Sequence, residues 1–174
     1  MPNSKAIVRA TGNVSPLLAL AISGGAVLAS GLLARRSAPE PQHPDIQRWY
    51  HHLDKPDFVP PDPVFGAVWG VLESLLAYGG YRLLRHPATP TRNRALGLWG
   101  FNIAMISVWP RLFFGERSVR SGFLGSLLML GSGIAYVASA RRVDKVVAAT
   151  SLPFAAWLGF ASVVSEEVWR RNED

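Results

Sequence analysis

The chain has 174 residues, of which 49% are hydrophobic and only 17% are charged, and it contains no cysteine. This composition excludes a disordered chain and a coiled coil, and the lack of cysteine excludes a disulfide framework, a thiolate nucleophile and a cysteine-ligated zinc site. The formal net charge of +6 is spread over the segments between apolar stretches, without a basic patch interleaved with aromatic residues, so nucleic-acid binding is not predicted.

Five apolar stretches divide the chain, and each is about as long as the 20 helical residues that cross a hydrocarbon core of about 30 Å. In lipid the backbone groups must bond within the segment, so these stretches are predicted to be helices. A soluble domain, the alternative, would lack polar helix faces to cover itself. We therefore predict an all-α, multi-pass membrane protein with one domain over residues 1–174, in the cytoplasmic membrane if the source is bacterial. The stretches are residues 16–33, 64–84, 95–114, 119–140 and 146–169.

The first stretch shares features with a signal peptide and with a membrane anchor. Lys5 and Arg9 precede it, as in a signal peptide, but its length of about 18 residues exceeds an ordinary signal-peptide core. Arg35 and Arg36 follow it at once, as in a stop-transfer segment, so an anchor is predicted. The Lys and Arg residues divide equally between the two sides of a five-span topology, so their number leaves the orientation open.

The loop between the first and second stretches, residues 34–63, is the longest connection. Four prolines fall within eight positions, at Pro56, Pro60, Pro61 and Pro63. Proline fixes φ and removes a backbone donor, so residues 48–63 are predicted to be non-helical but stiff. A rigid connector and a lid over a site are both compatible with this pattern. The lid is favoured because Trp49, Tyr50 and Phe58 need an apolar surface to bury against.

Motifs in this loop and in the later stretches resemble those of the TspO/MBR family, which comprises tryptophan-rich sensory proteins and translocator proteins. The order and approximate spacing of the motifs match the family over residues 45–172. The motifs are WYxxLxKPxFxPPxxVFxxVW from Trp49, WPxLFFG from Trp109, LPFAAW from Leu152 and WxxN from Trp169. Each motif alone is weak, but several in order on five apolar stretches make a specific signal.

The resemblance implies a bundle of five transmembrane helices with a ligand pocket toward one face, covered by the proline-rich lid loop between helices 1 and 2. It also implies binding of porphyrin, haem-related tetrapyrroles or sterol-like molecules in a transport or sensory role, and a homodimer. No catalytic residue, metal site or required cofactor is predicted, and porphyrin or haem would be a ligand. The ligand-binding residues that the resemblance suggests are Trp49, Phe65, Trp69, Glu73, Trp109, Phe113, Phe154, Ala156, Trp157 and Phe160.

The tryptophans have two interpretations. Tryptophan near the end of a span commonly forms an interfacial belt or packs between helices, which is favoured for Trp99, Trp109 and Trp169. Trp157 lies midway along the last stretch, too deep for a belt, and is predicted to line the pocket with Trp69. A flat apolar ligand needs such an aromatic wall with a few polar groups.

The chain departs from the family's pattern at several polar or phenolic pocket positions. The substituted positions are Glu73, Ile106, Phe154 and the pair Ser165–Glu166. Glu73 lies near the middle of the second stretch, where a charge costs at least about 2.5–3.5 kcal/mol, so it should face the bundle or a wet cavity. It is predicted either to bond to neighbouring helices as a structural residue or to contact a ligand as a pocket acid.

Three functions are compatible with these observations. The first is a binding, transport or sensory protein for tetrapyrroles or similar apolar molecules. The second is a membrane enzyme that degrades a porphyrin or modifies a lipid, although no catalytic motif is present in the sequence. The third is a regulator that acts through partners and has a vestigial pocket. Binding without turnover would separate the first from the second.

Overall fold

The computed structural model describes residues 14–172, so Lys5 and Arg9 lie outside the described residues. These residues are almost entirely helical and contain no β-strand. A five-residue π-helical turn, Arg111–Gly115, continues α4. The helices are α1 (Pro16–Arg35), α2 (Pro44–His52), α3 (Asp62–Arg85), α4 (Pro90–Pro110), α5 (Val119–Arg141) and α6 (Lys145–Asn172).

Side-chain caps and prolines fix where these helices begin. The hydroxyl of Ser15 accepts a hydrogen bond from the N–H of Leu18 at the start of α1. Thr89 and Ser118 cap α4 and α5 in the same way. Proline occupies the first turn of α1, α2, α3 and α4, where its missing N–H would have had no intrahelical partner.

The five long helices close into a ring in the order α1, α3, α6, α5, α4. Large side chains fill the inside of the ring, among them the fully buried Leu76, Tyr136 and Phe154. Many apolar side chains outside it are exposed, including Leu17 at 81% and Leu28 at 69%. Such a surface is stable in lipid and would be unusual in water. The predicted all-α membrane bundle is confirmed.

Three of the described helices, α1, α5 and α6, are long and apolar enough to cross a membrane by length and composition. The other two long helices, α3 and α4, carry more charge, but most of it lies near their ends. Arg82 bonds to Asp144, and Arg92 donates to the carbonyls of Leu83 and Leu84. With 24 and 21 residues, both helices are at least as long as α1, which has 20, and they complete the ring.

The loop between α1 and α3 departs from its prediction. Arg48–His52 was predicted to be non-helical, but it forms the second half of the nine-residue helix α2. Proline acts on the residues next to it, and the sequence has no proline between Pro44, which begins α2, and Pro56. The part from Pro56 to Pro61 is non-helical, as predicted.

The end of α4 widens into a π-helical turn. The N–H of Glu116 donates to the carbonyl of Arg111, five residues earlier, at 2.8 Å. The N–H of Ser118 donates in the same way to Phe113. Pro110, next to the turn, cannot donate a backbone hydrogen bond, which favours such a local change of helical period. The turn sets the directions of Phe113 and Phe114.

Asp144 joins three elements at the end of the bundle opposite the lid. Its carboxylate accepts hydrogen bonds from Arg82 Nε at 2.7 Å and from the N–H of Val146 at 2.8 Å, and it lies 3.0 Å from His86 Nε2. Burial opposes ionisation, but the hydrogen bonds from Arg82, His86 and the backbone outweigh it and hold the pKa of Asp144 well below its ordinary value.

We expect Asp144→Asn to lower the free energy of unfolding by about 2 kcal/mol, because it removes a charge-assisted bond to Arg82. A carboxyl with a depressed folded-state pKa contributes stability above its unfolded pKa of about 4 and loses it as the pH falls further. The wild type should therefore lose stability below about pH 4 more steeply than the variant. Thermal unfolding followed by circular dichroism between pH 3 and 7 measures both; parallel pH profiles would contradict this assignment.

Candidate ligand-binding site

One aromatic cluster lies under α2. Trp49 contacts the buried Phe113 edge-on, with ring centroids 5.4 Å apart, and Tyr50 contacts Phe114 at 5.3 Å. Trp109 stacks on Phe113 at 5.0 Å with ring planes 10° apart. The loop between α1 and α3 is thus seated on the π-helical turn at the end of α4. We call Trp49, Tyr50, Trp109, Phe113 and Phe114 the lid cluster.

Trp109 also has a packing role between α4 and α5. Its indole Nε1 donates to the carbonyl of Gly122 at 2.8 Å and to Ser126 Oγ at 2.9 Å. Gly122 faces the Phe113 ring so closely that no side chain fits there. Packing, one of the two roles predicted for Trp109, is therefore observed, and its N–H is already satisfied.

Polar contacts hold the loop to the C-terminal end of α6. The side chain of Asn172 accepts a hydrogen bond from the N–H of Asp54 and donates one to its carbonyl, both at 2.9 Å. Lys55 Nζ lies 3.9 Å from the centre of the Tyr50 ring. Burial, with the nearby Asp62 carboxylate, raises the pKa of Tyr50 to about 12, so the phenol stays neutral and donates to Asp62.

We expect Asn172→Ala to release this attachment, because both hydrogen bonds to Asp54 are lost at once. At about 1 kcal/mol for each bond, hydrogen exchange of the loop amides should speed up by about tenfold or more. Exchange measured by mass spectrometry over residues 48–60 reports this. The matched control is Arg171→Gln, which removes an exposed ion pair to Asp54 with N–O atoms 3.5 Å apart and should change little. Equal effects of the two variants would contradict the attachment.

A second aromatic cluster borders an open groove of about 570 Å³ between α3 and α6. Trp157 contacts Phe65 edge-on at 5.5 Å and Phe160 at 5.2 Å. Phe58 reaches Phe160 from the loop, with centroids 6.5 Å apart. The loop therefore contacts both aromatic clusters. The groove is lined by Ala67, Val68, Val71, Leu72, Pro153, Ala156, Trp157 and Phe160.

The groove lies at the seam between two neighbouring helices and is open along one side. Its lining is apolar, and Val71 is 60% exposed. Trp157 Nε1 is a buried donor with no hydrogen-bond partner among the described residues. Leaving such a donor unpaired costs about 1–3 kcal/mol. The groove thus has an aromatic wall, and the unpaired indole N–H of Trp157 is buried beside it.

Trp69 and Phe154 lie deeper between the same two helices. Their rings meet edge-on at 6.4 Å, and Phe154 is fully buried. Neither residue lines the groove. They support it from below, since Trp69 and Leu72 lie within one turn of α3, and Phe154 and Trp157 lie within one turn of α6.

Glu73 faces α1 and belongs to neither aromatic cluster. A Cβ at Gly31 would lie 3.6 Å from Glu73 Oε2. The side chain is partly exposed, and it has no hydrogen bond or ion pair within residues 14–172. The glycine provides the room that the carboxylate needs between α1 and α3.

The predicted site residues therefore fall in three places. Trp49, Trp109 and Phe113 belong to the lid cluster, while Glu73 stands apart. The remaining six, Phe65, Trp69, Phe154, Ala156, Trp157 and Phe160, gather at the α3–α6 seam.

Five lining residues were not predicted. They are Ala67, Val68, Val71, Leu72 and Pro153. Their helical spacing from Trp69 and Trp157 was the available signal.

The other two tryptophans also pack within the bundle. Trp99 is buried, and its Nε1 donates to the carbonyl of Leu76 at 2.8 Å. Trp169 stacks on Phe123, with centroids 5.2 Å apart. Both observations agree with the packing role predicted for these residues.

Comparison with known proteins shows which family and which relatives the chain is similar to. The model of the TspO/MBR family matches residues 18–170. The chain is 34% identical over 132 residues to the translocator protein of Homo sapiens, covering 75% of this chain and 78% of that protein. It is 30% identical to protein CrtK of Rhodobacter capsulatus over 126 residues, or 71% of this chain and 78% of that one. It is 25% identical to tryptophan-rich protein TspO of Chlorobaculum tepidum over 158 residues, or 90% and 97%.

Proposed function

The chain belongs to the TspO/MBR family of integral membrane proteins, and we propose that it binds a tetrapyrrole or a similar flat apolar molecule at the α3–α6 groove, as a transport or sensory protein. The observation that carries the proposal is the apolar, aromatic lining of the groove, in which Trp157 and Phe160 lie side by side. Ligand sites are commonly apolar clefts of about 300–1,000 Å³ with few polar groups, and this groove falls within that range.

The aromatic lining of the groove suits a planar ligand. Trp157 and Phe160 both line it, with ring centroids 5.2 Å apart, so a flat ring system has two aromatic surfaces to pack on. Phe58 brings the loop to the same wall, so a bound molecule would be covered by the lid. Protoporphyrin and haem-related compounds have such a flat apolar ring system.

Binding without turnover is favoured over the enzymatic alternative. The side chains that line the groove are aliphatic, aromatic or proline, and none of them can donate or accept a proton in catalysis. The Glu73 carboxyl group could exchange a proton, but it faces α1 and does not line the groove. The groove thus supplies an apolar binding surface, which suits a protein that holds or senses its ligand.

The test is a titration of the full chain in lipid nanodiscs with protoporphyrin, haem and a sterol, followed by tryptophan fluorescence. We expect saturable quenching by the tetrapyrroles, and chromatography should recover them unchanged in the dark and in light. Quenching that rises linearly without saturation would contradict the binding proposal. Loss of the porphyrin during incubation with the protein would instead support the enzymatic alternative.

Glu73 offers a separate test of its two predicted roles. We propose that Glu73 modulates ligand binding through the α1–α3 interface, because Trp69 lies one turn away on α3. Glu73→Gln keeps the size and hydrogen bonding but removes the charge, so a ligand role predicts a changed pH dependence of binding with unchanged thermal stability. A shift in stability with unchanged binding would assign Glu73 to structure alone.

The homodimer implied by the family remains a proposal. Gly97 and Gly100 on α4 have no atom within 4 Å of the position of a Cβ, so a second helix can approach there closely. Light scattering of the protein in nanodiscs or mild detergent gives the mass of the particle and decides between monomer and dimer.

A further inference from the structure

A second cleft, of about 220 Å³, lies where α4 begins and α5 ends, at the end of the bundle opposite the lid. It is separate from the groove at the α3–α6 seam and shares no residue with it. Unlike that groove, it is lined mainly by polar and charged side chains. These lining residues are Pro90, Thr91, Arg94, Ser139 and Arg142.

The cleft has an uncompensated positive charge. Within residues 14–172, neither Arg94 nor Arg142 forms an ion pair. Asp144 is the only acidic residue in the sequence between Glu116 and Glu166, and none occurs between Glu73 and Glu116. Its carboxylate is already bonded to Arg82 and to the start of α6. Within the described residues, no carboxylate therefore neutralises the two arginines of the cleft.

The start of α4 adds a backbone donor to the cleft. Pro90 has no N–H, and the N–H groups of Arg92 and Asn93 bond to Thr89. The N–H of Thr91 has no such partner among the described residues. A helix N-terminus also carries partial positive charge, which favours an anion.

Ser139 points independently to a ligand. It is only 7% exposed, lines the cleft, and its hydroxyl forms no hydrogen bond within the described residues. Buried serines elsewhere in the helices behave differently: Ser151 and Ser162 each donate to the carbonyl four residues earlier. The Ser139 hydroxyl, which lines the cleft, is therefore free to donate to an acceptor that enters from outside the chain.

We propose that this cleft binds a phosphate group, supplied by the headgroup of an anionic phospholipid. Two guanidinium groups, two hydroxyls and a helix N-terminus form a donor set that suits phosphate oxygens. The membrane end of the span favours a lipid over free phosphate. The exposed Phe101 and Ile134 lie about two turns deeper on the same two helices, where acyl chains would run.

The experiment is native mass spectrometry of the full chain in mild detergent, with phosphatidylglycerol or phosphatidylcholine of the same acyl chains. We expect the wild type to retain phosphatidylglycerol in preference. Each cleft arginine that contacts the bound headgroup should contribute about fivefold to the affinity, so Arg94→Gln with Arg142→Gln should lower retention about 25-fold. Ser139→Ala should lower it less, and Arg141→Gln, a neighbouring arginine outside the cleft, should leave it nearly unchanged.

Three results would overturn the proposal. Equal retention of the two lipids by the wild type would show that a headgroup of net negative charge is not preferred, because phosphatidylcholine carries the same phosphate. An Arg141→Gln effect as large as that of the double variant would assign the preference to diffuse surface charge. A third arm adds inorganic phosphate: if millimolar phosphate displaces the lipid from the wild type, the cleft takes free phosphate and the lipid assignment is wrong. Lipid retained against phosphate supports it.

Discussion

Replacing Trp157 by alanine should weaken tetrapyrrole binding by about tenfold or more. Trp157 supplies the central ring of the α3–α6 wall, in contact with both Phe65 and Phe160. Burying an aromatic side chain against a ligand contributes about 1.5–3 kcal/mol, and each 1.4 kcal/mol is tenfold in affinity. Absorbance titration of protoporphyrin measures the affinity without depending on the tryptophan that is removed.

Trp157→Phe tests how much of this effect depends on ring size, because it keeps an aromatic ring of smaller area. An affinity between those of the wild type and Trp157→Ala is expected. The matched control is Trp169→Phe on the same helix, whose ring stacks on Phe123 away from the groove. If Trp157→Ala binds as tightly as the wild type while it remains helical, the ligand does not use this wall.

The second large effect concerns stability, at the crossing of α3 and α4. A Cβ at Gly80 would lie 2.5 Å from Cε2 of Trp99, whose indole is buried and anchored to the carbonyl of Leu76. The ring cannot move aside without losing that bond. Gly80→Ala should therefore destabilise the protein by about 1–3 kcal/mol, or lower its Tm by about 3–10 °C.

Gly70→Ala is the matched control for this substitution. It lies on the same helix, α3, at a position where a Cβ meets no atom within 4 Å, and alanine is favoured over glycine in a helix by up to about 1 kcal/mol. Its Tm should stay the same or rise. Thermal unfolding followed by circular dichroism compares the two variants, and equal Tm values would show that the Gly80–Trp99 contact does not limit stability.

The course of the long helices could be predicted from the sequence because each apolar stretch is continuous and ends at charged residues. The observed α5 and α6 extend the predicted stretches by only a few residues. Helix α2 was missed because the nearby prolines dominated the interpretation of the loop, although proline constrains only its close neighbours. The π-helical turn after Pro110 was missed because a change of helical period leaves no clear mark in hydropathy.

The candidate site was less accessible to sequence reasoning. Motifs identify aromatic positions, but the face that each presents depends on how a helix is rotated in the ring. Phe65 and Trp157 meet because α3 and α6 are neighbours. The same arrangement places Trp109 and Phe113 in a different cluster under the loop. Glu73 faces α1 because Gly31 leaves room there, a long-range match that no local pattern indicates.

The substitution at Ile106 illustrates how packing limits such inference. Ile106 is buried, whereas Asn102, one turn earlier, is the polar residue of this part of α4. The Oδ1 of Asn102 accepts a hydrogen bond from Ser132 at 2.9 Å, and its Nδ2 donates to the carbonyl of Leu98. The amide thus joins α4 to α5 and is occupied within the bundle. Its partner on α5 could be identified only from the folded chain.

The most direct test of the central claim is an experimental structure of the protein in nanodiscs with protoporphyrin bound. We predict that the macrocycle lies between α3 and α6, in contact with Trp157 and Phe160 and covered by the loop that carries Phe58. A macrocycle bound among Trp49, Trp109 and Phe113, or on another face of the ring, would contradict the assignment of the α3–α6 groove as the ligand site.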